Sequence, residues 1–196
     1  MMKYLALGDS YTIGEAVPYH LNFPSQLIEI CKQHGFEINL DKLIAVTGFT
    51  TDELMNAIEK DKPSFDYDLV TLLIGVNNQY RGRTVEEYRG QFYALLCMAI
   101  LFAKGNTKQV VVVSIPDWGL TPFNVEKDKA QVSKEIDAYN AINREITEQM
   151  GCIYVDITPM SRIHANDESY LVNDKLHYSE KAYRLWAESI FEKLKR

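Results

Sequence analysis

Apolar and polar positions alternate along the chain in two different ways. Short runs rich in branched aliphatic residues predict buried strands, and longer stretches with apolar residues three or four apart predict helices. The predicted strands are residues 3–8, 38–46, 68–75, 109–115 and 152–157, of which the second has the weakest pattern. The predicted helices are residues 24–35, 51–60, 85–105, 134–151 and 179–195. Strands and helices therefore alternate through the chain.

This alternation predicts a parallel sheet. The runs VTLLIG and VVVVSI have no polar face, as is typical of strands covered on both sides, and the helices supply the crossovers that parallel strands need. We expect an α/β fold, namely a three-layer α/β/α sandwich with a five-stranded parallel sheet in the flavodoxin-like order 2-1-3-4-5. No repeat or linker divides residues 1–196, which we expect to form a single domain.

Composition narrows the classes of partner. The formal net charge of −6 argues against nucleic acid and anionic membrane surfaces as partners and favours a small-molecule ligand. The cysteines lack CxxC spacing, so neither a disulfide framework nor a zinc site is expected. No run is long enough for a secretory signal or a membrane span, which predicts a cytoplasmic protein. The apolar helix at residues 85–105 fits core burial or a subunit contact; burial is our expectation, and the oligomeric state stays open.

Chemistry-bearing residues follow the predicted strands. In open parallel sheets ligands bind at the carboxyl ends of the strands, so the segments directly after the apolar runs are the candidates for a site. Those segments are GDS at 8–10, TGFTT at 47–51, GVNN at 75–78, PDWG at 116–119 and, before the last helix, NDKLH at 173–177.

Together these segments contain the groups that acyl transfer requires. Ser10 can attack a carbonyl if a base removes its proton, and a largely neutral His177 can accept that proton at pH 7. Asp174, three residues earlier, can hold the other ring nitrogen of His177. The backbone N–H groups of Ser10 and Gly48 and the side-chain amide of Asn77 can donate to the developing oxyanion. No metal or organic cofactor is needed for this chemistry.

The motifs resemble those of the SGNH hydrolases, also called the GDSL-like lipase or acylhydrolase family. They occur in the order typical of that family: Gly8, Asp9 and Ser10; Gly48; Gly75, Val76 and Asn77; Asp174 and His177. The resemblance implies a serine esterase or acylhydrolase that cleaves a carboxylic ester, of lipase, lysophospholipase or short-acyl esterase type, through an acyl-enzyme on Ser10. It also implies the catalytic and oxyanion-hole roles assigned above.

Three positions depart from the family pattern. Asn78 replaces the aspartate of the usual GxND motif, so the hydrogen bonds that support Asn77 are expected to differ. Tyr11 stands where leucine often follows GDS, and Tyr178 stands where proline often follows the histidine. Both tyrosines can reshape the wall of the site.

The substrate and the exact reaction stay open. Aromatic residues near the expected crevice can line an acyl pocket, stack on a sugar or simply pack the loops: Tyr11, Phe49, Tyr80, Trp118 and Phe123. The same site also fits an acyl-CoA thioesterase or an acyltransferase. A noncatalytic flavodoxin-like binding module is the alternative from another class, although the chain has no GxGxxG or GxxxxGK[ST] motif for phosphate.

Overall fold

The computed structural model describes residues 1–195 and contains one five-stranded sheet. The strands are β1 (Met2–Gly8), β2 (Ile38–Ala45), β3 (Leu69–Leu73), β4 (Val110–Val113) and β5 (Ile153–Val155). Every pairing is parallel, and the order is β2-β1-β3-β4-β5. The predicted sheet and its flavodoxin-like order are confirmed.

Helices surround this sheet. They are α1 (Ser10–Ile13), α2 (Phe23–Gln33), α3 (Thr51–Asp61), α4 (Val76–Tyr80), α5 (Val85–Phe102), α6 (Lys129–Gln149), α7 (Thr158–Ile163) and α8 (Glu180–Leu194). Single 3₁₀ turns lie at Tyr19–Leu21, Thr107–Gln109 and Trp118–Leu120. The five predicted helices are confirmed, and the three-layer α/β/α class with them. None of the helices within residues 1–195 combines the length and hydrophobicity needed to cross a bilayer.

The helix boundaries differ from the prediction in identifiable ways. α6 begins five residues earlier than the predicted residue 134, because Asp128 caps it and its first turn is polar rather than periodic. The short helices α1, α4 and α7 follow strands directly, and single turns of this kind depend on tertiary packing.

Burial matches the position of each element. Every residue of β3 and β4 is buried, whereas β2 lies at the sheet edge with exposed positions, which explains its weak apolar pattern. α2 packs against α8, while α5 packs against both α3 and α6. The expected burial of α5 is only partly correct, since Tyr93 and Leu101 on its outer face are more than half exposed.

Candidate active site

Ser10 lies directly after the first strand, at the carboxyl edge of the sheet. Asp9 caps α1 by accepting a hydrogen bond from the Tyr11 N–H at 3.0 Å, and Ser10 is the first residue of that helix. Gly8 is needed for close approach, because a Cβ there would lie 2.1 Å from Thr12 Oγ1 and 2.4 Å from the Leu73 carbonyl oxygen. Gly8, two residues before Ser10, therefore lets β1, α1 and β3 pack closely together next to Ser10.

Asp174 holds His177 through both carboxylate oxygens. Its Oδ2 lies 2.7 Å from His177 Nδ1, and its Oδ1 accepts from the N–H groups of Leu176 and His177 at 2.8 and 2.9 Å. Burial raises the pKa of Asp174, but the hydrogen bonds from the His177 ring and from these two N–H groups outweigh burial and leave the pKa below its ordinary value. An ionised carboxylate thus orients the imidazole.

An aromatic cluster supports the imidazole from behind. The ring of Tyr11 lies 5.6 Å from that of His177 and 5.6 Å from that of Tyr178, between centroids. Trp186 of α8 packs against both tyrosines. The two tyrosines that depart from the family pattern therefore contact each other. Tyr11 is only 2% exposed, so it acts on the site as a buried packing partner of His177.

Gly48 and Asn77 follow β2 and β3. Gly48 has φ +88°, a backbone conformation that favours glycine, and its carbonyl accepts a hydrogen bond from Arg81 Nη2 at 2.7 Å. Asn77 Nδ2 donates to the Phe49 carbonyl at 3.0 Å. An amide nitrogen carries two protons, so this bond orients the amide and leaves a second N–H for another acceptor.

Asn78 has a well-defined structural partner. Its side chain is fully buried, where Oδ1 accepts from the Thr51 N–H at 3.1 Å and Nδ2 donates to Thr51 Oγ1 at 2.7 Å. These bonds tie α4 to the start of α3. Asn78 thereby fixes the position of the adjacent Asn77.

These strand ends surround a cavity of about 200 Å³. Its lining contains Ser10, Tyr11, Thr47, Gly48, Val76, Asn77, Tyr80, Trp118, Phe123, Leu176 and His177. The structure thus brings nearly all the candidate residues together. Asp174 and Phe49 are not part of the lining: Asp174 reaches the cavity through His177, and Phe49 contributes its backbone carbonyl to Asn77.

One wall of the cavity is aromatic. The rings of Tyr80 and Phe123 lie 5.0 and 6.2 Å from that of Trp118, and the Trp118 indole N–H donates to Gln79 Oε1 at 2.7 Å. Gln79 was missed by the sequence reasoning, because no local pattern distinguishes it from a turn residue. Thr47, Val76 and Leu176 were also missed as lining residues, although each lies within or next to a candidate motif.

Other acidic and basic groups nearby have structural partners. Asp117 is fully buried and accepts hydrogen bonds from Ser133 Oγ and Arg162 Nε at 2.6 and 2.9 Å. Arg83 pairs with Asp52 at 2.5 Å. Within residues 1–195, no group of three or more His, Cys, Asp or Glu side chains has an arrangement that could hold a metal ion.

Comparisons with known proteins agree with this geometry. The profile of the GDSL-like Lipase/Acylhydrolase family matches residues 6–185. No curated protein sequence gives a significant match. Among solved structures, an acetylxylan esterase from Geobacillus stearothermophilus is 16% identical, with a TM-score of 0.77 over 100% of this chain and 94% of its own. A lipase/acylhydrolase from Enterococcus faecalis is 20% identical, with a TM-score of 0.73 over 100% and 96%. At these identities the likeness is one of fold.

Proposed function

Because the chain belongs to the GDSL-like lipase/acylhydrolase family and is thus a hydrolase of ester bonds, we propose that it is a serine esterase for short acyl groups, acting through an acyl-enzyme on Ser10. One observation carries this proposal: His177, which is hydrogen-bonded to Asp174, lines the same cavity as Ser10. That cavity is also lined by Gly48 and Asn77, the candidate oxyanion donors.

In the proposed mechanism His177 takes the proton of Ser10 Oγ as that oxygen bonds to the acyl carbon. Asp174 keeps the proton on Nδ1, so that Nε2 is the basic nitrogen, and it stabilises the imidazolium that forms. The carbonyl oxygen becomes an oxyanion that accepts hydrogen bonds from the N–H groups of Ser10 and Gly48 and from the Asn77 amide.

Collapse of this intermediate breaks the ester bond, and the leaving alcohol takes the proton from His177. Water then attacks the acyl-enzyme with His177 again as base. The Ser10–acyl bond breaks, the carboxylic acid leaves, and Ser10 Oγ regains its proton. Each step conserves charge and protons among these residues, the ester and one water.

The size of the cavity supports a short acyl group. A volume of about 200 Å³ is below the usual range of pockets that enclose drug-sized ligands, and one wall of this cavity is formed by the rings of Tyr80, Trp118 and Phe123. The acetylxylan esterase of similar fold removes a short acyl group, in keeping with this size.

The test compares the wild type with Ser10→Ala on 4-nitrophenyl esters from acetate to octanoate. We expect kcat/KM to be highest at the short end, and Ser10→Ala to lower it on the order of a thousandfold or more. Ser64→Ala, which removes a surface serine hydroxyl bonded to Asp66, is the matched control. Intact mass after a fluorophosphonate should show one adduct, on Ser10. Turnover by Ser10→Ala near the wild-type rate would rule out the acyl-enzyme, and a preference for octanoate would rule out the short-acyl assignment.

A further inference from the structure

Lys127 lies at the rim of the catalytic cavity. Its Nζ is 4.6 Å from the ring centroid of Tyr80 and 5.2 Å from that of Trp118, and it donates to the Tyr80 carbonyl at 3.1 Å. Both rings line the cavity that contains Ser10. A positive charge therefore stands next to the aromatic wall of the site, held there by cation–π contacts.

The backbone of Lys127 is fixed by a buried side chain. Asn124 is only 7% exposed; its Oδ1 accepts from the Lys127 N–H at 3.0 Å, and its Nδ2 donates to the carbonyls of Lys127 and Gly119 at 3.0 and 2.9 Å. The position of Lys127 is thus set by hydrogen bonds within the loop that also contains Trp118, and not only by the contacts of its exposed side chain.

Among the described residues 1–195, no acidic side chain forms an ion pair with Lys127. Glu126 and Asp128 flank Lys127 in the chain. Within residues 1–195, however, no carboxylate oxygen comes within 4.0 Å of Lys127 Nζ, which is the distance limit for an ion pair. Arg81, the other cation bonded to a lining residue, is paired with Glu53 at 3.2 Å. Lys127 therefore keeps its charge available beside the cavity.

A negative charge lies beside another residue of the lining. Glu15 accepts a hydrogen bond from the hydroxyl of Thr47, which belongs to the lining. An anionic group on the substrate would be repelled by Glu15 and attracted by Lys127, so the two charges favour a position near Lys127.

Resting on the proposed esterase function, we propose that Lys127 is a specificity-determining residue that binds an oxyanion, a carboxylate or phosphate, carried by the ester substrate. An ammonium has three N–H donors, and one of them serves the Tyr80 carbonyl. The others can make charge-assisted hydrogen bonds to an oxyanion at the rim while the ester reaches Ser10.

The test uses esters that differ in charge but hardly in shape. In 4-acetoxybenzoate the charge lies on the alcohol side of the ester, and 4-acetoxybenzamide is its neutral isostere. In phenyl hydrogen adipate the charge lies on the acyl side, and phenyl adipamate is its neutral isostere. We expect Lys127→Met to lower the charged-to-neutral ratio of kcat/KM roughly three- to tenfold in one of the two pairs. In the wild type, 0.5 M NaCl should reduce the same ratio.

Lys181→Met is the matched control, because Lys181 also covers an aromatic ring, that of Tyr170 at 4.1 Å, but lies outside the cavity lining. Its ratios should equal those of the wild type. If Lys127→Met left the charged-to-neutral ratio of kcat/KM unchanged in both pairs, including through equal losses on charged and neutral esters, the proposal would be overturned. The proposed esterase function would still stand.

A calorimetric arm separates the two proposals. In the Ser10→Ala background, binding of one of the two charged esters, 4-acetoxybenzoate or phenyl hydrogen adipate, should weaken three- to tenfold when Lys127→Met is added. If the wild type hydrolysed none of the esters, the proposed function would fail, while this binding difference would still decide the role of Lys127.

Discussion

At the scale of single residues, the site contains two carboxyl groups in opposite environments. Asp174 is partly exposed and well hydrogen-bonded, whereas Asp9 is fully buried, with one oxygen accepting from the Tyr11 N–H and Oδ2 without a hydrogen-bond partner within residues 1–195. Burial raises the pKa of Asp9 to about 7, in spite of the opposing hydrogen bond from Tyr11. The residue before the proposed nucleophile therefore titrates near neutral pH.

Asp9→Asn should stabilise the fold above pH 7. Between the ordinary aspartate pKa near 4 and the folded pKa of about 7, the folded state retains a proton that the unfolded state has lost, so stability decreases as pH rises through this window. The neutral amide removes this effect. We expect the gain in unfolding free energy to be larger at pH 8 than at pH 5 by about 2 to 3 kcal/mol.

Urea titrations of Asp9→Asn and the wild type at both pH values measure this gain. Glu59→Gln, which neutralises an exposed acid of α3, is the control and should behave alike at the two pH values. A gain of equal size at pH 5 and pH 8 would contradict the assigned pKa.

At the scale of elements, the candidate site depends on contacts between the short helices that follow the strands. α4 presents Asn77 to the cavity, while Asn78 in the same turn bonds to Thr51 at the start of α3. The hydroxyl of Thr51 in turn donates to Gln91 of α5. A chain of hydrogen bonds therefore connects Asn78, the neighbour of the proposed oxyanion donor, to α3 and α5.

Substitutions of Asn78 should follow a definite order. Asn78→Ala leaves the buried Thr51 N–H without its acceptor, at a cost of about 1 to 3 kcal/mol in unfolding free energy. Asn78→Asp buries a carboxylate, but it keeps the acceptor for the Thr51 N–H and gains the Thr51 hydroxyl, which turns its proton away from Gln91, so it should cost less. Thermal unfolding of both variants measures the order. A larger loss in Asn78→Asp than in Asn78→Ala would show that the carboxylate is not accommodated.

At the scale of the whole molecule, the proposed catalytic residues come from distant parts of the chain. Ser10 comes from α1, directly after the first strand, and His177 from the loop before the last helix, while Asn77 follows the neighbouring strand β3. Trp118 lines the cavity, and Trp186 packs behind His177 against Tyr11. Both tryptophans consequently report on the integrity of the same site.

In urea, activity should be lost over the same concentration range in which tryptophan fluorescence changes. Because the site is assembled from residues that span most of the chain, it cannot persist once the sheet and α8 separate. We expect the two transitions, followed on 4-nitrophenyl acetate and by emission, to share one midpoint. Loss of activity at clearly lower urea than the fluorescence change would indicate that the site loops open before the sheet unfolds.

The sequence predicted those features that local pattern determines. Buried strands carry an unbroken apolar run, and their ends must lie at one sheet edge, so the motifs around Ser10 and Asn77 could be placed without coordinates. It did not predict the support of His177 by Tyr11 or the position of Lys127 over Tyr80. Both contacts join segments that are far apart in the chain, and neither produces a periodic pattern in the sequence.

The loop from residue 118 to residue 127 satisfies many of its own hydrogen bonds, chiefly through Asn124. Because this segment contains no strand, its exposed residues can be exchanged without unpairing the sheet, provided that the bonds of Trp118 to Gln79 and of Lys127 to Tyr80 are kept. Directed evolution confined to this loop would vary substrate choice while inheriting the reactive groups unchanged. New selectivity can therefore be sought in this loop while the sheet and the proposed catalytic residues stay as they are.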